Sequence, residues 1–169
     1  GPPDAEDPPW YAAHTKSRRE KALAHYLRRA GIGYYLPMIK RRQSPGRRER
    51  FSMAPVFPGY LFFVGDAADR HKALRSNHIA RVIEVADAET LLNELRQVEK
   101  VLSNKDGMQV YPFDFIQTGQ SVRVKDGPLK GVEGRIVRKD RDYRLVLSVD
   151  MIMQSISVTI DSALVEPIR

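Results

Sequence analysis

The stretch that most constrains the fold is Pro55 to Val64, PVFPGYLFFV, the longest unbroken apolar run in the chain. Its aromatic and β-branched residues suit a buried, central strand of about six residues. Pro55 and Pro58 cannot donate to a ladder, so regular pairing is expected from about Gly59, with Phe57 and Pro58 in the turn that leads in. Gly59 allows other backbone or a large side chain to come close.

The segments on either side of this run are expected to be its neighbours. WYAAHT, from Trp10, reads as a strand, and Ser17 then opens a helix with the capping-box spacing Ser17-Arg18-Arg19-Glu20. Ala22, Leu23, Tyr26, Leu27 and Ala30 fall at helical spacing, Arg18, Lys21, Arg28 and Arg29 occupy other faces, and Gly31 supplies a stop. GYYLPMIKRRQ is strand-like up to Pro37 and increasingly basic after it. SPGRRERFSMAP begins with Ser, Pro and Gly, which places Arg47, Arg48 and Arg50 on a loop or hairpin tip. That tip reads either as a phosphate contact or as a solubilising loop. Beyond the central run, Asp66 to Ser76 suits a short helix, ARVIEV from Ala80 a strand, and Asp87 the N-cap of a longer helix with Leu91, Leu92, Leu95, Val98 and Leu102 on one face, packing onto the sheet. The order predicts a small α+β sandwich with an antiparallel sheet over residues 10–104.

Charge narrows the function. Residues 1–105 carry 19 Lys and Arg against 12 Asp and Glu, whereas residues 106–169 carry 9 of each. Between Trp10 and Arg50 there are 12 basic residues and 2 acidic ones, a concentration that points to a polyanion. The chain has no cysteine, which removes disulfides, thiolate nucleophiles and sulfur metal sites. The four histidines, at 14, 25, 71 and 78, have no metal-ligand spacing. No nucleophile elbow, phosphate-cradling loop or paired carboxylates can be nominated, so the expectation is a non-enzymatic protein without cofactor or metal. With no run of membrane-span length and no apolar leader, a cytoplasmic monomer is expected. Residues 1–9 read as a mobile tail, its Gly1-Pro2 resembling a remnant of protease cleavage.

From residue 105 to 118 the periodicity breaks, suggesting a linker whose Tyr111, Phe113 and Phe115 could dock on a neighbouring domain. After it the texture is all β: SVRVKDG, EGRIVRK, YRLVLSV, SISVTI and the terminal LVEPI make five short strands, enough for a small SH3-like barrel over residues 119–169. Within Gly119 to Lys139, Asp126-Gly127-Pro128 is a turn, Gly131 and Gly134 permit tight bends or a bulge, and Val122, Val124, Ile136 and Val137 furnish the inward side.

Gly119 to Lys139, GQSVRVKDGPLKGVEGRIVRK, resembles the KOW motif. WYAAHTKSRREKALAHYLRRAGIGYYLPM followed by PVFPGYLFF resembles the NGN domain, and the order NGN, linker, KOW from Trp10 onward is the architecture of the NusG family of transcription factors. The basic insert, the VYPFDF linker and the RLVLSV ending are similar to the family's specialised, RfaH-like antitermination paralogues.

That resemblance implies a factor that binds the clamp helices of the largest RNA polymerase subunit, suppresses pausing or termination, and recruits partners through its KOW domain. The matching positions for polymerase are Phe57, Tyr60 and Phe62, with Trp10 and His14 nearby and His71 toward the opposite side of the cleft. Trp10 and Phe62 also read as plain core. Lys16, Arg18, Arg19 and Arg29 match a basic face that touches the non-template DNA strand. Ribosomal protein NusE is the implied partner of the barrel, with Rho a partner in the housekeeping members of the family and left open here. The β-branched, Gly-punctuated barrel sequence makes a helical alternative fold costly. A KOW-containing RNA- or ribosome-binding module that works without polymerase is the alternative.

Overall fold

The structure, a computed structural model, describes residues 8–42, 50–104 and 109–168. The expected tail residues 1–7 and the hairpin-tip residues Arg47 and Arg48 lie outside the described residues. Contacts divide the chain into two units, residues 1–89 and 90–169.

In the first unit, the apolar run forms β5 (Tyr60–Val64), an inner strand of a four-stranded antiparallel sheet. β1 (Trp10–Thr15) lies on one side of it and β2 (Gly33–Tyr35) on the other, while β6 (Ile79–Glu84) pairs with β1. Pairing starts at Tyr60, after a turn closed by the Tyr60 N–H donating to the Phe57 carbonyl at 3.1 Å. Pro58 lies in that turn, ahead of the ladder, whereas Pro55 ends the preceding strand, opposite Met38.

Side chains alternate across a strand, and the two faces of this sheet have different roles. Tyr11 and Ala13 of β1 and Leu61 and Phe63 of β5 meet Leu23, Ala24 and Leu27 of α1 (Glu20–Arg29) in one buried cluster. The Tyr11 and Phe63 rings stack within it, with centroids 5.1 Å apart. Trp10, Ala12, His14, Tyr60 and Phe62 belong to the opposite face. α2 (Ala67–Arg75) is opened by a reciprocal capping box: Asp66 accepts from the Asp69 N–H at 2.8 Å, and Asp69 accepts from the Asp66 N–H at 3.0 Å.

The basic insert is a separate two-stranded ribbon, β3 (Met38–Arg42) paired with β4 (Phe51–Pro55). Its base is closed by the Val56 N–H donating to the Pro37 carbonyl at 2.9 Å. Arg50 is exposed just ahead of β4.

α3 (Ala88–Ser103) begins directly after Asp87 and buries Leu91, Leu92, Leu95, Val98 and Val101. Val101 takes the place expected for Leu102, which is only half-buried. From Thr90 onward the helix groups with the second unit, earlier than the expected domain end at 104. Its polar side chains explain part of that grouping. Gln97 Oε1 accepts from the Glu133 N–H at 2.9 Å, and Glu94 Oε2 accepts from the Asp150 N–H at 3.1 Å, so the helix satisfies two backbone donors of the β unit.

The second unit holds the five expected strands, β8 (Gln120–Val124), β9 (Glu133–Lys139), β10 (Asp142–Val149), β11 (Gln154–Ile160) and β12 (Val165–Pro167). A sixth comes from the stretch expected to be a linker. β7 (Tyr111–Phe113) pairs antiparallel with β11, Tyr111 opposite Ser157 and Phe113 opposite Ser155, giving the sheet order β12-β8-β9-β10-β11-β7. The exposed edge of β11 supplies donors and acceptors that no periodicity in YPF announces. The barrel's buried residues include Val122, Val124, Leu129, Val132, Leu145 and Val158, whereas Ile136 and Val137 are half-buried.

Candidate functional site

The inner strands bring His14 and Tyr60 into register as direct partners, and their rings stack with centroids 5.0 Å apart at an interplanar angle of 20°. Both side chains are half-buried. The stack rests against Gly59, whose φ is +88° and whose α-carbon faces the imidazole so closely that an added Cβ would stand 3.6 Å from the ring. Trp10, Phe57 and Phe62 are 5%, 1% and 0% exposed, so they are core residues, and Trp10 pairs with Val64 at the other end of β1 from the accessible pair. An aromatic residue in a strand looks alike in sequence whether its face is open or covered.

Gly59 is also the anchor of the neighbouring basic segment. Its carbonyl accepts from the Thr15 N–H at 2.8 Å, and its own N–H donates to Glu20 Oε2 at 3.3 Å. Glu20 is therefore spent on the β5 approach. The expected capping box at Ser17 does not form: α1 starts at Glu20, with Arg19 as an N-cap that makes no side-chain bond. Arg18, at φ +59°, turns the chain sharply ahead of the helix. Lys16 is held from both ends, its N–H donating to the His78 carbonyl at 2.8 Å and its Nζ to Asn77 Oδ1 at 2.7 Å.

Lys16, Arg18 and Arg19 are thus exposed together on one tight turn, close in sequence to His14. Arg29 is exposed in the last turn of α1, about 15 Å further along the helix, outside that group. His71 is exposed on α2, whose Ala73 is buried in the cluster on the opposite face of the sheet from the stacked pair. Glu20 and Asn77 were missed as supports. The Ser-x-x-Glu pattern suggested a different task for Glu20, and no local signal linked Asn77 to Lys16.

The barrel motif is held by backbone geometry. Gly119, Gly127 and Gly131 have φ of +101°, +88° and +91°, and Asp126 Oδ1 accepts from the Gly127 N–H at 2.8 Å before the exposed Pro128. At Gly134 a Cβ would meet the Val146 carbonyl oxygen at 2.7 Å, so β9 and β10 require the missing side chain. Among the described residues, no group of three or more His, Asp or Glu is placed to hold a metal ion, and no helix is long and apolar enough to cross a membrane.

No curated protein matches the chain. Among solved structures it is similar to Thermotoga maritima NusG, in a structure titled "Domain interaction in Thermotoga maritima NusG", at 17% identity and a TM-score of 0.48 over 98% of this chain and 100% of that one. The family model described as "Transcription termination factor nusG" matches residues 8–110, the stretch that runs from the first strand through the stacked pair, the basic turn and the ribbon to the end of α3. With most of its length under that match, and with an antiparallel α/β sandwich leading into a β-rich unit, the chain belongs to the NusG family of transcription factors.

Proposed function

We propose that this chain is an elongation and antitermination factor that rides on RNA polymerase, in the manner of the specialised paralogues of its family. NusG-family proteins bind RNA polymerase. The observation that carries the reading to residues is the half-buried His14–Tyr60 stack at the ends of the two inner strands, with the exposed Lys16, Arg18 and Arg19 immediately after it. In this reading Tyr60 and His14 anchor the clamp helices of the largest subunit, since stacked aromatics present large area with little freedom to lose. Phe57, Phe62 and Trp10 are buried and contribute as core of the same unit. The basic turn lies alongside and pairs with phosphates of the displaced non-template strand. His71 and Arg29 contribute separate, outlying contacts, and the barrel recruits NusE.

The test is the affinity of isolated polymerase clamp helices for the full chain, followed by transcription pausing assays. Tyr60→Ala is expected to weaken clamp-helix binding about tenfold or more. Joint charge reversal at Lys16 and Arg19 is expected to leave that affinity intact and to abolish the effect on pausing. Clamp helices that fail to bind the unaltered chain would overturn the polymerase reading in favour of a free nucleic-acid-binding module.

A further inference from the structure

Among the described residues, nothing covers one face of the β3–β4 ribbon. Residues of alternating parity turn Ile39 inward, where it is 6% exposed. On the other side, Phe51 and Met53 are 50% and 47% exposed, two of the most exposed large apolar residues described. Met53 is the direct partner of Lys40 and Phe51 its diagonal neighbour. Lys40 Nζ lies 4.5 Å from the centroid of the Phe51 ring, and Arg50 is exposed beside it.

The charge around this apolar face selects its occupant. From Lys40 to Phe51 the sequence has six basic residues and one acidic one, Glu49. A polyanion with flat apolar surface fits both properties. An unpaired nucleic-acid strand has exactly that combination of bases and phosphates, whereas a closed duplex hides its bases and offers a ribbon only groove edges, which Phe51 and Met53 have no polar groups to read. We propose that the ribbon is a second nucleic-acid contact, separate from the basic turn before α1, which takes a single strand by stacking a base on Phe51 while Lys40 and Arg50 pair with the flanking phosphates. It does not depend on the polymerase reading, because it requires binding to free oligonucleotide.

The probe is a fluorescein-labelled oligo-dT of about a dozen nucleotides, within the span a small single-strand site covers. Anisotropy titrations use the full chain in a background of Lys16→Gln, Arg18→Gln and Arg19→Gln, which removes the other basic group. Phe51→Ala and Phe51→Leu are each expected to weaken binding about tenfold, and Phe51→Trp to preserve it. Lys40→Gln with Arg50→Gln is expected to lower the slope of log affinity against log salt by about 1.4. Full binding by Phe51→Leu overturns the proposal, because an aliphatic side chain cannot stack. Equal competition by poly-glutamate also overturns it, in favour of an acidic protein partner. A readout on the unaltered chain is independent of any variant's folding: an iododeoxyuridine oligonucleotide is expected to photocrosslink at Phe51, and crosslinks confined to residues 16–29 overturn the assignment.

Discussion

The openings of α1 and α2 solve one problem in opposite ways. Each helix begins with N–H groups that lack partners inside the helix. α2 satisfies them locally, Asp66 and Asp69 bonding each other's backbone. α1 has a sequence suited to the same device and does not use it: Arg18 takes a left-handed turn, Arg19 caps without a side-chain bond, and Glu20 reaches across to Gly59. The difference teaches that a helix start can give up local stability to fix a surface. At α1 the result is three exposed cations on one turn, tied to the strand that carries Tyr60.

The strongest challenge to this comparison is Glu20→Ala. Glu20 is 7% exposed, and its loss leaves the Gly59 N–H without its acceptor, so unfolding free energy is expected to fall by about 1–3 kcal/mol in denaturant titrations. A smaller loss would mean that Glu20 is not the anchor. Arg18→Gly should move the other way, raising stability by about 1 kcal/mol as the left-handed strain is relieved, while non-template DNA crosslinking declines. If it destabilises the chain, the turn is not strained.

Asp66→Ala is expected to lower the melting temperature, by an amount that depends on pH. The Asp69 N–H holds the Asp66 carboxyl below its ordinary value of 3.8, helped by the Asp69 side chain and the Ala68 N–H and by the charge of Lys72. A depressed carboxyl contributes stability above its unfolded value and loses it as pH falls through the folded one. The gap between unaltered chain and variant should therefore be full at neutral pH and close in acid below about 3.8. The smallest effect belongs to Ser17→Ala, expected within about 0.5 kcal/mol of the unaltered chain because Ser17 caps nothing. A loss equal to that at Asp66 would erase the contrast.

What was legible in the sequence followed the range of the interaction. The proline-delayed start of β5, the α2 boundaries and the Gly127 turn are written in adjacent residues, and each appears where adjacency puts it. β7 was not legible, because its three residues become a strand only through the distant edge at Ser155 to Ser157. The start of α1 was misread because Ser-x-x-Glu serves two structures equally well until Gly59 is brought near. At the candidate site, the family resemblance singled out Trp10, Tyr60 and Phe62, but their shared face follows from the β1–β5 register and the depth of each ring from what covers that face. Local pattern cannot supply that.

Trp10 has a use beyond packing. It is the single tryptophan of the chain, 5% exposed, and it sits in β1 opposite Val64. Intrinsic fluorescence excited at the indole band therefore reports on the first unit alone, while far-ultraviolet dichroism sums both. Melting curves from the two signals would coincide if the units unfold cooperatively and separate if they do not. The molecule thus carries its own optical label for deciding whether one half can open while the other stays folded.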